Sequence, residues 1–485
     1  MKLPHALLPA NKIKRDRIKR GVIESNYFMK TYNSRSELML ARGRIRPLFI
    51  HYAAPGVVAM LFLAFQSIVD GLIVGRLIGA NALAAVNIVA PTYALMSAIA
   101  LIIGVGTQAQ MGIYMGRGSY VKAKSAFRSG LTGIAAFAVA STVFVNVFAY
   151  DIAVALGANE ALLPLAVGYI HGVMPWLAGI GGLFFFDYVL KALGHPRYAM
   201  GIMVGTIVMN IMLSLIFVGI LKMSTFGVGL GTGISFTAGA VVYGVAVWRQ
   251  LRRTETLKHV RGRFSWLSLW RIGYNGSSEG LTEIAMSISL FLFNITLMRY
   301  AGEKGVAAFT IVSYVLFIGT SFLLGIANGV IPVISYNFGA RAIRRVMRTV
   351  RLAVGTNFLI GAVSLSVLQL TGGAIVRLFI DPAETQVIGL AMRGAQLLSL
   401  AFLFNGFNIF AASFFTAIDK AGLSLVVASL RGLILLVAGL LTLPHWWGVD
   451  GIWLTVVLTE ALTSAVAAVL VRREFKRFRK MESEG

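Results

Sequence analysis

Gly79 to Gly116 reads GANALAAVNIVAPTYALMSAIALIIGVGTQAQMGIYMG, 38 residues without a single Asp, Glu, Lys or Arg. An α-helix rises ~1.5 Å per residue and the hydrocarbon core of a bilayer is ~30 Å thick, so a run this long and this apolar crosses a membrane as a helix. Set against the chain 223 residues later, from Gly302 to Gly339, the stretch matches at nine of 38 positions without a gap. Gly79 falls on Gly302, Ala84 on Ala307, Ala85 on Ala308, Ile88 on Ile311 and Val89 on Val312, and further along Leu101 falls on Leu324, Ile103 on Ile326, Gly106 on Gly329 and Gly116 on Gly339. A spanning helix with a counterpart two hundred residues on indicates a polytopic chain built as an internal repeat.

Working outward, apolar runs near 48–75, 84–114, 126–148, 162–190, 198–220, 227–248, 272–298, 306–336, 350–370, 385–417, 423–443 and 449–471 predict twelve membrane helices. Composition agrees: 57% of the 485 residues are hydrophobic and 13% charged, where soluble domains carry about 25% charged residues. A soluble enzyme, a secreted disulfide scaffold and a disordered chain are excluded. The chain has no Cys, so it forms no disulfide, iron–sulfur cluster or thiolate metal site.

Twelve crossings put both termini on one side, and the basic residues test this independently. Of 44 Lys and Arg, 37 fall in the N-terminal segment, the even-numbered turns and the C-terminal tail. The positive-inside rule makes that face cytoplasmic, with both termini inside the cell in a multi-pass plasma (inner) membrane protein. The net charge of +25 is therefore a topology signal that also attracts anionic membrane lipid, and no nucleic-acid partner is expected. Residues 1–46 carry twelve cations against Asp16, Glu24 and Glu37 and lack the apolar core of a signal peptide, which suits a basic cytoplasmic arm.

The expected organisation is an arm (1–46), an N-lobe of helices 1–6 (47–250), a basic linker (251–271), a C-lobe of helices 7–12 (272–471) and a cytoplasmic tail (472–485). Because six is even, the halves are parallel repeats related by an axis along the membrane normal, an arrangement of transporters with a central site between two lobes.

The stretch Val69 to Arg76 (VDGLIVGR), followed by Gly79 and by Ala82 to Pro91 (ALAAVNIVAP), resembles the end of helix 1 and the start of helix 2 in multidrug and toxic compound extrusion (MATE) transporters. Gly329 to Ala340 (GVIPVISYNFGA) resembles that family's helix 8 ending, and Phe404 to Ala421 (FNGFNIFAASFFTAIDKA) its helix 10 ending. The resemblance covers residues about 47–475. It implies an all-α, V-shaped bundle of two six-helix lobes related by a pseudo-twofold, acting as a secondary active antiporter rather than an enzyme. The cargo would be small organic, often cationic, compounds, exchanged for H⁺ or Na⁺ with no cofactor by a monomer.

Five of nineteen acids lie inside predicted spans: Asp70, Asp187, Glu279, Glu283 and Glu460. A carboxylate at the bilayer centre costs ~2.5–3.5 kcal/mol on insertion scales, so each is a functional candidate. Asp70 falls on the acid that the family carries in helix 1, and Glu283 best matches the helix 7 acid of part of the family, so these two, with Glu279, are the expected ion-coupling residues. Asp70 or Glu283 is also where Na⁺ would sit; no other metal site is expected. Glu279 and Glu283, four apart, share a helix face with Cβ atoms ~5–6 Å apart, and two carboxylates that close do not both ionise cheaply. Alternatively, Glu279 faces the cytoplasmic interface and pairs with Arg271 or Lys258. Asp187 has Lys191 at i+4, a spacing suited to an ion pair. Glu460 has no partner in its own helix, but Arg393 and Arg431 are within the same half.

The resemblance places Asn210 beside the helix 1 acid and makes Thr232 or Ser235 a helix 6 hydroxyl, and Asn210, Ser214 and Thr232 are expected to line the cavity on the N-lobe side. Ser214 stands where some members carry an Asp, leaving Asp70 as the single acid of the N-lobe. Asn294, Asn405, Asn408 and Glu460 are the expected polar lining of the C-lobe. The competing reading of the fold is a lipid-linked precursor flippase, which holds pyrophosphate with several cations. The spans hold only Arg393 and Arg431 clearly, which counts against it. An intramembrane enzyme or an ATP-driven pump is excluded by the lack of any His-Glu-x-x-His, Gly-x-Ser-x-Gly or P-loop motif.

Overall fold

A computed structural model describes residues 35–377 and 384–483. The expected basic arm falls largely outside the described residues, up to residue 34. Among the described residues the chain is helical and without strands. Nine helices among the described residues are long and apolar enough to cross a bilayer, and the pair Thr385–Ser399 and Phe402–Ala417, bent by 53°, makes a tenth. Two of the nine are double. Trp266–Gly339 folds back at Gly302 and Ala421–Ser483 at Gly448, where φ is +61° and +53°. That region is open to glycine without strain. Counting each arm gives the twelve crossings that the apolar runs predict.

We label these α1 (Ile45–Leu77), α2 (Ala80–Gly116), α3 (Tyr120–Val147), α4 (Leu163–Ala192), α5 (Pro196–Ile220) and α6 (Ser224–Arg253) in the N-lobe. The C-lobe holds α7 (266–301), α8 (303–339), α9 (Ile343–Arg377), α10 (the bent pair), α11 (421–447) and α12 (449–483). A short helix, Arg35–Arg42, precedes α1.

Each lobe has its own core, and each core borrows from the other lobe at one end. Val333 and Tyr336 of α8 and Ile272 of α7 belong to the N-lobe core, while Phe49 and Ala53 of α1 and Val105 and Ala109 of α2 belong to the C-lobe core. Hydrocarbon gives two apolar helices no reason to prefer each other over lipid, so association rests on close backbone approach. A Cβ added to Gly56 would lie 2.3 Å from the Gly325 carbonyl oxygen, and one on Gly325 would lie 2.4 Å from the Val57 Cα, so α1 and α8 touch main chain to main chain. A Cβ on Gly116 would meet the Tyr336 carbonyl at 2.0 Å, making the same contact between α2 and α8.

This junction lies at the terminus-bearing end. The Phe338 and Phe478 rings are 5.9 Å apart and Arg344 pairs with Glu482, so the end of α12 meets the α8–α9 turn. Towards the opposite end the lobes leave an apolar groove of about 570 Å³ between them, lined by Gly71 and Leu72 of α1, Ile318 and Phe322 of α8 and Val367 of α9.

Gly325→Val should force α1 and α8 apart and cost about 1–3 kcal/mol, the usual range for overpacking. Gly355→Ala, where a Cβ meets nothing within 4 Å, should leave stability unchanged or higher. Thermal unfolding of the two purified variants in detergent, followed by tryptophan fluorescence, checks the pair.

Candidate functional site

Polar side chains inside an apolar slab gather where they satisfy one another, and each lobe has such clusters among the described residues. In the N-lobe the cluster starts on α1. Gln66 and Asp70 are one turn apart, and the Gln66 Nε2 donates to Asp70 Oδ2 at 3.4 Å and to Asn210 Oδ1 of α5 at 2.8 Å. Asn210 Nδ2 donates in turn to Thr232 Oγ1 of α6 at 3.1 Å. Three helices thus converge behind Asp70, whose Oδ1 is buried with no hydrogen-bond partner among the described residues. Thr232 is the helix 6 hydroxyl of the cluster; Ser235 bonds back to its own helix at the Thr232 carbonyl, 3.0 Å away. The approach of α6 depends on its glycines, since a Cβ on Gly231 would stand 3.1 Å from Ser214. Ser214 itself is buried, with no partner for its hydroxyl among the described residues.

In the C-lobe Glu279 and Glu460 take separate partners. Glu279 accepts from Ser413 of α10 at 3.3 Å, Lys258 is taken by Glu255 at 2.6 Å, and among the described residues no ion pair joins Glu279 to Arg271 or Lys258. Glu283 is half-buried one turn further along α7. Tyr93 of α2 lies within electrostatic reach of both Asp70 and Glu283. Asn294, three turns beyond Glu283 on the same side of α7, is exposed.

Glu460 is buried and fully engaged. Arg431 donates to Oε1 from Nε at 3.2 Å and from its terminal nitrogen at 2.8 Å, while Asn408 Nδ2 donates to Oε2 at 2.6 Å. The same Arg431 nitrogen reaches Asn405 Oδ1 at 2.6 Å, and Ser464 closes the set on Asn408 Oδ1 at 2.9 Å. Arg431 lies in a single π-helical turn, Leu430–Ile434, and such turns re-aim side chains. Of the two cations of this half that could pair with Glu460, Arg431 is the one that does. Arg393 does not reach Glu460; it pairs with Asp450 at 2.8 Å, near the end of the bundle away from the termini, because α10 presents it toward the first turn of α12. Asn210, Thr232, Asn408 and Glu460, expected along a cavity, are buried in the lobe interiors, and Asn405 is half-buried against Arg431.

Asp187 and Lys191 form the ion pair that their spacing predicts, at 2.5 Å, with the Tyr243 hydroxyl 2.9 Å from the other carboxylate oxygen. Gln66 escaped the sequence reading, although a glutamine four residues before an intramembrane acid is itself a signal.

The MatE family model matches residues 55–216 and 280–440. The chain is similar to the multidrug export protein MepA of Staphylococcus saprophyticus, 23% identical over 426 residues covering 87% of this chain and 92% of MepA. MepA of Staphylococcus aureus gives 23% over 427 residues with the same coverage. Among solved structures, MATE in complex with MaL6 superimposes with a TM-score of 0.86 at 22% identity, covering 91% of this chain and 99% of that one. An outward-facing multidrug resistance MATE transporter of the MOP superfamily gives 0.85 at 22%, covering 91% and 98%. The shared architecture is the two-lobed, V-shaped helical fold.

Arg431→Met should strand Glu460 as a buried, unpaired charge and cost about 3–5 kcal/mol, whereas Arg431→Met with Glu460→Met should recover most of it. Unfolding midpoints of the single and double variants decide this, and a double variant as unstable as the single would refute the pairing.

Proposed function

This chain belongs to the MatE family, and on that premise we propose that it is a secondary active exporter of small organic, often cationic, compounds, driven by inward flow of H⁺ or Na⁺. It is a transporter rather than an enzyme. The observation that carries the reading is the N-lobe cluster, where a half-buried carboxylate, Asp70, keeps one oxygen without a partner while Gln66, Asn210 and Thr232 fix the other side of it. A buried acceptor left open is costly, and a proton, a sodium ion or an ammonium group would each satisfy it.

Competition at that oxygen gives exchange. While Asp70 is ionised it attracts a cation into the space between the lobes, with Glu283 as the second acid, on the C-lobe, and the groove beside Gly71 and Leu72 taking apolar parts of the cargo. When an ion from outside neutralises Asp70, the cargo loses its counter-charge and leaves. The ion-bound state then favours the conformation that opens to the other side, because a ligand shifts an equilibrium only by its difference in affinity between the two states. The basic face supports a cytoplasmic location for both termini in the plasma membrane, with the lobe junction on the inside and the groove on the outside. Arg393 and Arg431 are each held by a carboxylate, so neither is available to grip a pyrophosphate as a lipid flippase requires.

The test is ethidium efflux from proteoliposomes under an imposed pH gradient and, separately, an imposed Na⁺ gradient. One gradient should drive transport, and Asp70→Asn and Glu283→Gln should each reduce the driven rate at least about tenfold, the factor that corresponds to 1.4 kcal/mol. Undiminished driven transport in Asp70→Asn would remove the site, and movement of lipid-linked sugars instead of cations would replace the function.

A further inference from the structure

Outside the intramembrane clusters, polar side chains also meet across the lobe junction at the terminus-bearing end. Gln110 of α2 donates to Asp419 Oδ1 of the α10–α11 turn at 2.6 Å, joining the N-lobe to the C-lobe. Asp419 holds a left-handed backbone, φ +61°, at the place where the equivalent α4–α5 turn has Gly194 at φ +94°. Both turns close alike, Gly194 and His195 donating to Lys191 and Leu190, and Asp419 and Lys420 to Thr416 and Phe415. A carboxylate has thus been placed where the fold elsewhere uses glycine, and strain of this kind persists where a side chain is needed.

The second point is the helix Arg35–Arg42 in front of α1. Its Glu37 is buried and receives the Tyr120 hydroxyl of α3 at 2.6 Å, while the Tyr336 hydroxyl of α8 also reaches it. Arg345 of α9 donates to the carbonyls of Gly43 at 2.9 Å and Leu40 at 3.0 Å, and is held in that position by Asn337 Oδ1 at 2.7 Å. Asn337 adds its own bond to the Leu40 carbonyl at 3.2 Å. A segment continuous with the N-lobe is thereby capped by side chains of the C-lobe.

We propose that these two contacts, Gln110 with Asp419 and the leading helix with Tyr336, Asn337 and Arg345, form a two-point polar lock that shuts the lobe junction at the terminus-bearing end and must release in every transport cycle. The inference rests on the two-state alternation proposed above. Its residues touch no cargo; they are positioning residues that set how often this end opens. Burial pushes the Asp419 carboxyl above the ordinary carboxylate range, against Gln110 and the charges of Arg117, Arg271 and Lys420, which face it and pull it down. A group whose value is raised in the closed form binds its proton more tightly there than when hydrated in the open form. Closure is therefore favoured as pH falls and weakens as pH rises through the raised value.

The chain has no cysteine, so one reporter thiol reads the junction without background. Val333→Cys, buried between the lobes, should react slowly with N-ethylmaleimide in purified protein. Adding Asp419→Ala or Arg345→Ala should raise that rate several-fold, and more in combination, with the melting temperature showing that the fold persists. Asp419→Asn, which keeps an acceptor and has no charge to lose, should stay slow and lose the part of the pH dependence that exceeds thiolate formation, taken from a free cysteine alkylated at the same pH values. If Asp419→Ala does not fold, Gln110→Leu removes the same bond from the other lobe and carries the same expectation. Unchanged alkylation in both the Arg345 variant and a folded Asp419 or Gln110 variant overturns the lock. Because alkylation is read without any cargo, a failed efflux assay with a positive alkylation result would refute the exporter and leave the lock standing.

Discussion

A charge or amide placed in hydrocarbon has no water to turn to, so it must find its partner inside the protein or remain a site for something that arrives. The architecture follows from that constraint. Asp187 is matched to Lys191 and Tyr243, and Glu460 to Arg431 and Asn408, and each of these carboxylates has both oxygens engaged. Such groups are closed to ligands and tie helices together. Asp70 is the contrasting case, because its neighbours satisfy one oxygen and leave the other without a partner. The same physical rule therefore separates acids that tie helices together within a lobe from the one that keeps an oxygen open.

Much of this architecture can be read from the sequence because its signals are local or additive. A hydropathy excess accumulates over twenty residues and survives any detail of packing, so twelve crossings and their halves are legible. The Asp187–Lys191 pair is legible because i and i+4 meet on any helix. The choice between Arg393 and Arg431 as partner of Glu460 is not. Both are single cations in apolar spans, and only the rotation of α10 and the π-turn in α11 send one to Asp450 and the other to Glu460. Gln66 with Asn210, 144 residues apart, and Gln110 with Asp419, 309 apart, depend likewise on how helices cross. No periodicity encodes that.

The repeat also shows where the halves have diverged in use. Gly118 at φ +70° ends the α2–α3 turn, and Arg341 at φ +56° takes the corresponding place 223 residues on. Gly194 and Asp419 differ in the same sense. In both pairs the second half carries a charged side chain in a conformation that glycine adopts at lower cost, and in the second pair that side chain reaches the other lobe.

That asymmetry bears on how a two-lobed bundle moves. The backbone contact of Gly56 with Gly325, and of Gly116 with Tyr336, is non-directional and falls off as soon as the helices separate. It supplies a pivot but no threshold. Hydrogen bonds such as that between Gln110 and Asp419 are directional and are replaced by water on opening, so their net value is of order 1 kcal/mol each. Under the exchange proposed above, a handful of them would set a barrier of a size that differences in ion affinity overcome. In the proposed cycle, placing the polar contacts at the terminus-bearing end, and the carboxylate with one open oxygen away from it, would let each end of the bundle answer to a different chemical event.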